Sequence, residues 1–343
     1  MTDINKLVRE NVKALIPYSC ARDEFKGKDG IFLDANENPY GSLNRYPDPY
    51  QRELKTLISS IKGIPQENIF LGNGSDEIID LCFRIFCSPG IDKALTFTPT
   101  YGMYEVSAAI NDVQLIKIPL SDDFQIEYKS VLPALKDPAL KLIFICSPNN
   151  PTGNAMTGFE IESIISGFDG IVVIDEAYID FSDQRSFKTM INHYNNLIVM
   201  QTFSKAMGLA AARVGMAFMD PAMVLYFNKM KPPYNVSTLN QEAALKSLEH
   251  IDLLKNRVNR IKTERERLAN ALEKLSIIEK VFPSDSNFLL VKTRNADMIY
   301  SELIDNKIIV RNRNKMVPGC LRITVGTEKE NNKLISALQR IKI

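Results

Sequence analysis

The sequence predicts an α/β protein in which a mostly parallel sheet lies between helices and a smaller α+β unit follows it. From Ile69 onward, short apolar runs alternate with helical patterns. Because these runs are apolar on both faces, they fit strands of a parallel sheet that is covered on both sides. Past about residue 235 the pattern changes to a long charged helix and short strands. A chain of 343 residues is long enough for two domains.

The order of the elements predicts three parts of the chain. Residues 1–30 are expected to form an N-terminal helix and arm, because Pro17 interrupts the first periodic stretch. This part is expected to pack with the smaller domain. Residues 31–240 are expected to form the large domain and residues 241–343 the small one. A loop rich in proline and tyrosine at 44–49 precedes an amphipathic helix at 50–61. The candidate strands of the large domain are 94–97, 115–118, 142–146, 171–174, 197–201 and 215–219.

The C-terminal part begins with a long charged segment at 241–274, which is predicted to be one helix. Its basic side chains are expected on a solvated face; they are Arg257, Arg260, Lys262, Arg265 and Arg267. Short strands are predicted at 288–291, 308–311 and 321–325, with a helix at 296–305.

Composition and charge exclude several classes of protein. Forty-two basic residues oppose forty-one acidic ones, which argues against a nucleic-acid or anionic-membrane partner. The N-terminus lacks the pattern of a secretory signal, and no apolar run has transmembrane length. The cysteines are odd in number and scattered, and neither histidine is near one (Cys20, Cys82, Cys87, Cys146, Cys320). We therefore expect a cytoplasmic protein with reduced cysteines and no bound metal.

The most informative residue is Lys205, which follows an apolar strand. Thr202 and Ser204 precede it, and Arg213 follows eight residues later. A lysine at the end of a buried strand can hold a cofactor aldehyde as an imine, beside hydroxyls and an arginine that bind a phosphate. This pattern suggests a pyridoxal-phosphate enzyme.

Two polar groups at the ends of neighbouring strands would serve the cofactor ring. Asp175 ends the run 171–174 and could pair with a protonated pyridine nitrogen, while Tyr178 could donate to the ring oxygen. Asn150 lies in a turn that two prolines and a glycine make rigid, and its amide could also reach that oxygen. The alternatives to these roles are that Asp175 only caps the next turn and that Asn150 is only part of a turn.

A glycine-led helix start offers a second phosphate-binding element. Gly74, Ser75 and Asp76 open an apolar helix, whose free N–H groups and dipole favour an anion. An ordinary N-cap is the alternative. Tyr101 could stack on the pyridine ring or simply pack in the core.

Three motifs in this order resemble fold-type I pyridoxal-phosphate-dependent aminotransferases over nearly the whole chain. They are Asn-Asn-Pro-Thr-Gly at 149–153, Asp-Glu-Ala-Tyr at 175–178, and Thr-Phe-Ser-Lys at 202–205 with Arg213. Segments 34–39, 44–48 and 319–327 are similar to the histidinol-phosphate aminotransferase family. That resemblance implies a seven-stranded large-domain sheet. It also implies amino transfer between glutamate and imidazole-acetol phosphate, whose product is histidinol phosphate.

The resemblance also implies roles for individual residues. Lys205 becomes the cofactor-binding lysine and proton shuttle, Asp175 pairs with the ring nitrogen, and Asn150 and Tyr178 hold the ring oxygen. Tyr101 stacks on the ring. The phosphate is assigned to Gly74, Ser75, Asp76, Thr202, Ser204 and Arg213. Tyr46 would reach this phosphate from a neighbouring subunit, which implies a homodimer with shared active sites.

On the substrate side, Arg322 is matched to the arginine that binds the glutamate carboxylate or the substrate phosphate. A guanidinium fork suits both anions. Arg311, Tyr18 and Asn36 are assigned near the substrate on the same resemblance. A buried salt bridge is the alternative for either arginine.

Other functions stay open from the sequence. An aromatic amino-acid aminotransferase or a phosphothreonine-type decarboxylase would keep Lys205, Asp175 and Asn150. A cofactor-binding regulator is disfavoured because no DNA-binding domain fits ahead of residue 30. A purely structural α/β protein would not need these polar groups at successive strand ends.

Overall fold

The large sheet of this protein has seven strands, and a second sheet has four. The structure is a computed structural model that describes residues 3–19 and 30–341. The helices are α1 (Ile4–Leu7), α2 (Glu10–Ala14), α3 (Arg52–Lys62), α4 (Ser75–Phe86), α5 (Met103–Ile110), α6 (Tyr128–Leu135), α7 (Gly158–Gly167), α8 (Pro221–Met230), α9 (Thr238–Glu249), α10 (Ile251–Leu272), α11 (Ala296–Asp305) and α12 (Glu328–Arg340). The strands are β1 (Ile69–Asn73), β2 (Lys93–Thr98), β3 (Gln114–Pro119), β4 (Leu140–Cys146), β5 (Ile171–Asp175), β6 (Leu197–Thr202), β7 (Val214–Phe218), β8 (Ile278–Val281), β9 (Phe288–Thr293), β10 (Arg311–Asn312) and β11 (Cys320–Thr324).

The predicted mostly parallel sheet is confirmed. Its strand order is β1-β7-β6-β5-β4-β2-β3, and the pairs from β3 through β6 are parallel. The β6–β7 and β7–β1 pairs are antiparallel, so β7 runs opposite to the other six strands of this sheet. β1 had not been predicted as a strand, because its run contains Gly72 and ends at a turn into a helix. Every residue of β5 is buried, and alternate residues enter the apolar cores on opposite faces of the sheet.

Parallel pairing brings the exits of three strands together. Cys146, at the end of β4, pairs in register with Asp175 at the end of β5. Asp175 in turn pairs with Met200 near the end of β6. The segments that follow β4, β5 and β6 therefore leave the same edge of the sheet, as the sequence predicted.

The four antiparallel strands of the second sheet run in the order β10-β11-β9-β8 and pack against α11, α12 and the C-terminal half of α10. This confirms the smaller α+β unit, although β8 was not predicted and the strand expected at 308–311 is only the short β10. The segment 241–274 forms two helices that meet at His250. Because Ala244 and Leu248 of α9 are buried in the core of the large sheet, the expected boundary at 240/241 falls inside a helix of the large unit.

The expectation that the N-terminal arm packs with the smaller unit is wrong for its described part. Ile4, Val8 and Val12 form an apolar stripe that is buried in the core of the large unit, against α4 and α8. The Arg9 N–H donates to the Ile85 carbonyl at 3.0 Å. The stripe packs on the large unit because α4 and α8 present apolar faces to it.

Arg265 also differs from its prediction, because it is buried rather than solvated. Its guanidinium donates to the Ser286 carbonyl at 2.8 Å and to the Phe181 carbonyl at 3.3 Å. Phe181 follows β5 of the large sheet, while Ser286 precedes β9 of the small one. This arginine on α10 therefore ties the two units together.

None of the described helices combines the length and the apolar character needed to cross a membrane. Within residues 3–19 and 30–341, no group of His, Cys, Asp or Glu side chains is arranged to hold a metal ion.

Replacing Arg265 with Met should lower the melting temperature. The substitution leaves two buried carbonyls without donors, and an unsatisfied buried polar group costs about 1–3 kcal/mol. Differential scanning calorimetry of the variant measures the effect. Arg257→Met on the exposed face of the same helix is the matched control, with an expected change within about 0.5 kcal/mol. Equal melting temperatures for the two variants would contradict the bridging role of Arg265.

Candidate active site

A cavity of about 410 Å³ lies at the carboxyl edge of the large sheet. Residues of the smaller unit close its other side. Seven charged side chains line it, and five of them are cationic: Lys205, Arg213, Arg311, Arg313 and Arg322, with Asp76 and Asp175 as the two acids. The cavity is thus suited to a ligand with several negative charges.

Asp175 lies at the floor of this cavity and is almost fully buried. One carboxylate oxygen accepts from the Tyr104 hydroxyl at 2.8 Å, and the other from the Ala177 N–H at 3.1 Å. Burial raises the pKa of Asp175, although both hydrogen bonds oppose that shift. A cationic ligand group beside Asp175 would stabilise its ionised form.

Lys205 follows β6 and lines the cavity with its amine. Its Nζ lies 5.6 Å from the centroid of the Tyr178 ring. Partial desolvation against the cavity wall lowers the pKa of Lys205, and the positive charges of Arg322 and Arg213 lower it further, while Asp175 raises it. The surroundings thus favour a neutral amine more than water does.

A chain of polar contacts crosses from the large sheet to the small one. The Asn150 amide donates to the Tyr178 hydroxyl at 3.4 Å, and the Arg322 guanidinium donates to the Asn150 amide oxygen. Arg322 also lies over the Phe288 ring, 5.2 Å from its centroid. These contacts fix Asn150 and Tyr178 beside Lys205.

The N-terminus of α4 forms the opposite end of the cavity. Arg213 reaches the Ser204 hydroxyl and the Asp76 carboxylate, each at 3.4 Å. The Thr202 hydroxyl accepts from the Ser204 N–H at 3.1 Å and fixes that turn. The Arg213 guanidinium, the Ser204 hydroxyl and the first N–H groups of α4 make this a candidate anion site.

Close backbone packing shapes this anion site. A Cβ on Gly215 of β7 would lie 2.6 Å from the backbone nitrogen of Ser75. Gly74 has φ +78°, and a Cβ there would collide with the Arg213 guanidinium. Two glycines therefore let the helix start, the strand and the arginine approach one another.

Tyr101 lines the cavity and also packs against the apolar core of the large unit. Its hydroxyl donates to the Asp76 carboxylate at 3.0 Å, and its ring meets Tyr104 edge-on at 5.7 Å between centroids. The ring is therefore held by contacts at its edge and its hydroxyl.

Four of the predicted site residues do not line this cavity: Gly74, which directly precedes the lining residue Ser75, and Tyr46, Asn36 and Tyr18. Tyr46 stacks on Tyr234 at 4.4 Å between centroids, and together with Asn36 it lines a separate cleft of about 470 Å³. The Tyr18 side chain is 73% exposed. Their assigned roles stay predictions.

The structure adds two functional candidates that the sequence reasoning missed. Tyr104 lies in the first turn of α5, three residues after Tyr101, and its hydroxyl donates to the Asp175 carboxylate. Arg313 lies two residues after Arg311 and lines the cavity as well. Spacing within one element does not indicate either of them, because Tyr101 precedes α5 and Arg313 follows β10.

Residues 28–338 match the family model described as aminotransferase class I and II. The chain belongs to this aminotransferase family. Curated relatives include the histidinol-phosphate aminotransferase of Cytophaga hutchinsonii, 49% identical over 98% of each chain. The enzyme of that name from Parabacteroides distasonis is 49% identical over all of both chains.

Solved structures resemble this aminotransferase over most of its length. The histidinol-phosphate aminotransferase from Clostridium acetobutylicum has a TM-score of 0.80 at 26% identity, covering 87% of this chain and 90% of that one. The enzyme from Sinorhizobium meliloti, in complex with pyridoxal-5'-phosphate, has a TM-score of 0.80 at 24% identity, covering 89% of each chain. At 24% identity, the likeness to the Sinorhizobium meliloti enzyme shows a shared fold.

The family is pyridoxal-phosphate-dependent, and the cavity of this aminotransferase fits that cofactor. Asp175 offers a buried carboxylate to a protonated ring nitrogen, and Lys205 offers an amine to the aldehyde. The phosphate would be held by the start of α4 with Ser204 and Arg213. Gly74 and Gly215 let β7 and Arg213 approach the start of α4 closely there.

Gly215→Ala should weaken cofactor binding and lower stability. The added methyl group must push β7 away from the start of α4, and such overpacking typically costs about 1–3 kcal/mol. Fluorescence titration with pyridoxal phosphate and a thermal melt measure both effects. Gly102→Ala is the control, because no atom lies within 4 Å of its added Cβ and its φ of −67° is ordinary. Unchanged affinity in Gly215→Ala would contradict the cradle.

Asp175→Asn should stabilise the cofactor-free protein at neutral pH while weakening cofactor binding. A raised folded-state pKa means that the ionised carboxylate costs stability above that pKa, and that the cost vanishes as pH falls below about 3.9, the unfolded value. The gain in melting temperature should therefore shrink between neutral and acidic pH. Thermal melts across this range test the sign.

The control for this pH dependence is Asp183→Asn. Lys262 lowers the pKa of this exposed carboxyl through a hydrogen bond, so neutralising it should give no stabilisation. A lower melting temperature for cofactor-free Asp175→Asn at pH 7 would contradict the burial penalty at Asp175.

Proposed function

We propose that this aminotransferase exchanges an amino group between L-histidinol phosphate and 2-oxoglutarate, reversibly, with glutamate and imidazole-acetol phosphate on the other side. The observation that carries this proposal is that two separate sets of cationic side chains line one cavity. Arg213 lies beside the start of α4 in the large unit, and Arg311, Arg313 and Arg322 belong to the smaller unit. Lys205 is influenced by the charges of both Arg213 and Arg322, in keeping with a position between them.

Each cationic group has its own anion in this proposal. Arg213 and the start of α4 suit the cofactor phosphate, so Arg311, Arg313 and Arg322 are left for the substrate. The names of full-length relatives at 49% identity support a phosphorylated amine as that substrate. Arg322 can bind the substrate phosphate in one half-reaction and a glutamate carboxylate in the other, because its fork matches both anions.

The chemistry divides between the cofactor and the protein. When bound, pyridoxal phosphate supplies the electron sink for the bond that breaks at the substrate's amino-bearing carbon. Lys205, as a free amine, would accept the proton from that carbon at its Nζ and later give it up again. Its lowered pKa increases the fraction of neutral amine near pH 7. Asp175 keeps the ring nitrogen protonated, while Tyr178 and Asn150 orient the ring.

The proposal includes a homodimer with shared active sites. Tyr46 lies outside the cavity of its own chain and is half exposed. Large apolar side chains of the same N-terminal region are also exposed, as expected for a surface that a second subunit covers: Ile16, Ile31, Leu33 and Tyr40. Tyr46 would then complete the phosphate site of the partner, and Tyr18 and Asn36 would act near the substrate.

We also place the protein in the cytoplasm. Cys82, Cys87, Cys146 and Cys320 are buried free thiols, a state that suits a reducing compartment.

The test is a coupled assay of the purified holoenzyme with histidinol phosphate and 2-oxoglutarate, run beside phenylalanine and phosphothreonine. The expected result is the highest kcat/KM with histidinol phosphate. Preference for phenylalanine would instead indicate an aromatic aminotransferase. Carbon dioxide release from phosphothreonine would indicate a decarboxylase.

Lys205→Ala should remove the visible absorbance of covalently bound cofactor and lower kcat about a thousandfold, as loss of a general base does. Lys274→Ala is the control, because Lys274 is exposed and far along the chain from the cavity residues. An unchanged spectrum in Lys205→Ala would overturn the assignment of this lysine.

A further inference from the structure

Arg313 is a cationic cavity residue that the family motifs do not assign. It follows β10, and its backbone is fixed on both sides. Its N–H donates to the Cys320 carbonyl at 3.0 Å, and its own carbonyl accepts from the N–H groups of Met316 and Val317, each at 2.8 Å. The side chain is therefore presented from a rigid turn between β10 and β11.

Alternate residues of β10 and of the turn that follows it make two kinds of contact. Arg311 and Arg313 line the cavity, and Arg322 pairs in register with Arg311 on the neighbouring strand. The intervening Asn312 and the following Asn314 both donate to the Asp297 carboxylate of α11, at 2.7 and 2.8 Å. These outer contacts hold the three arginines on the cavity side.

The three arginines carry unbalanced charge. Among residues 3–19 and 30–341, no carboxylate forms an ion pair with Arg311, Arg313 or Arg322. The Nε atoms of Arg313 and Arg322 are buried and have no hydrogen-bond partner among these residues. Burial, with the charges of Arg322 and Arg311, lowers the pKa of Arg313 to about 10. Such a cluster calls for an anion with more than one charge and several acceptor atoms.

We propose that Arg313 determines specificity for the substrate phosphate, by giving the dianion a cationic partner that a carboxylate does not need. This inference rests on the proposed function. A phosphate monoester carries about −1.5 to −2 charges at pH 7 and three acceptor oxygens, because its second pKa is about 6. Glutamate carries two carboxylates, each with one charge and two oxygens, and Arg322 and Arg311 offer one fork to each. Arg313 should therefore matter for the phosphorylated substrate and little for glutamate.

The experiment compares the two half-reactions of the cofactor-loaded holoenzyme in single turnovers, with histidinol phosphate and with glutamate. Arg313→Gln should lower kcat/KM for histidinol phosphate roughly 10- to 100-fold, as expected for a lost hydrogen bond to a charged group. The value for glutamate should change less than about threefold by the same argument, because Arg322 and Arg311 are both kept. Arg313→Lys should restore part of the loss. Arg294→Gln, at an exposed position of the same unit, is the control.

A second readout does not depend on turnover. Inorganic phosphate should compete with glutamate for the holoenzyme, and its inhibition should strengthen from pH 6 to pH 8 as the dianion forms. In Arg313→Gln the inhibition should be weaker at pH 8 and less dependent on pH. Acetate serves as the carboxylate comparison, and its effect should be the same in both proteins.

The outcomes separate this inference from the proposed function. If the wild type does not turn over histidinol phosphate, the proposed function fails. If the wild type does so and Arg313→Gln loses both half-reactions equally, or keeps the pH dependence of phosphate inhibition, then Arg313 has no specific role toward phosphate.

Discussion

The parallel alignment of β4, β5 and β6 is the constraint on which the site depends. It brings the segments after Cys146, Asp175 and Thr202 to one edge of the sheet, so that Asn150, Asp175 and Lys205 share a cavity. Their sequence separations are large, and no local structure could bring them together. The buried apolar residues on both faces of these strands make the edge rigid, which keeps the polar groups in place.

Unbalanced charge is the second property of the cavity. The fold places five cations and two acids around a space of about 410 Å³. Like charges at this spacing disfavour the ligand-free state, and buried Asp175 adds a desolvation cost of its own. Both costs fall when an anionic cofactor with a cationic ring nitrogen enters. The site is thus complementary to its ligands at the expense of its own stability.

Where the sequence reasoning went wrong, tertiary packing was the reason. Arg265 reads as one more charge on a solvated helix, yet the interface between the two units buries it against two carbonyls. The apolar stripe of the N-terminal helices is visible in the sequence, but which face covers it is not. The segment 241–274 has no proline or glycine to mark the break at His250, which follows from α9 packing on the large unit.

The sequence by itself determined the α/β class, most strands of the large sheet, and the polar residues at their ends. Strand periodicity and local turn residues depend on neighbours in the chain, so they can be read directly. Only the tertiary structure decided that Tyr104 holds Asp175, that Arg313 joins Arg311 and Arg322, and that Tyr46 lies outside its own cavity. These relations depend on which elements pack together and on which side chains face a shared space. Such contacts join residues far apart in the chain, where spacing carries no information.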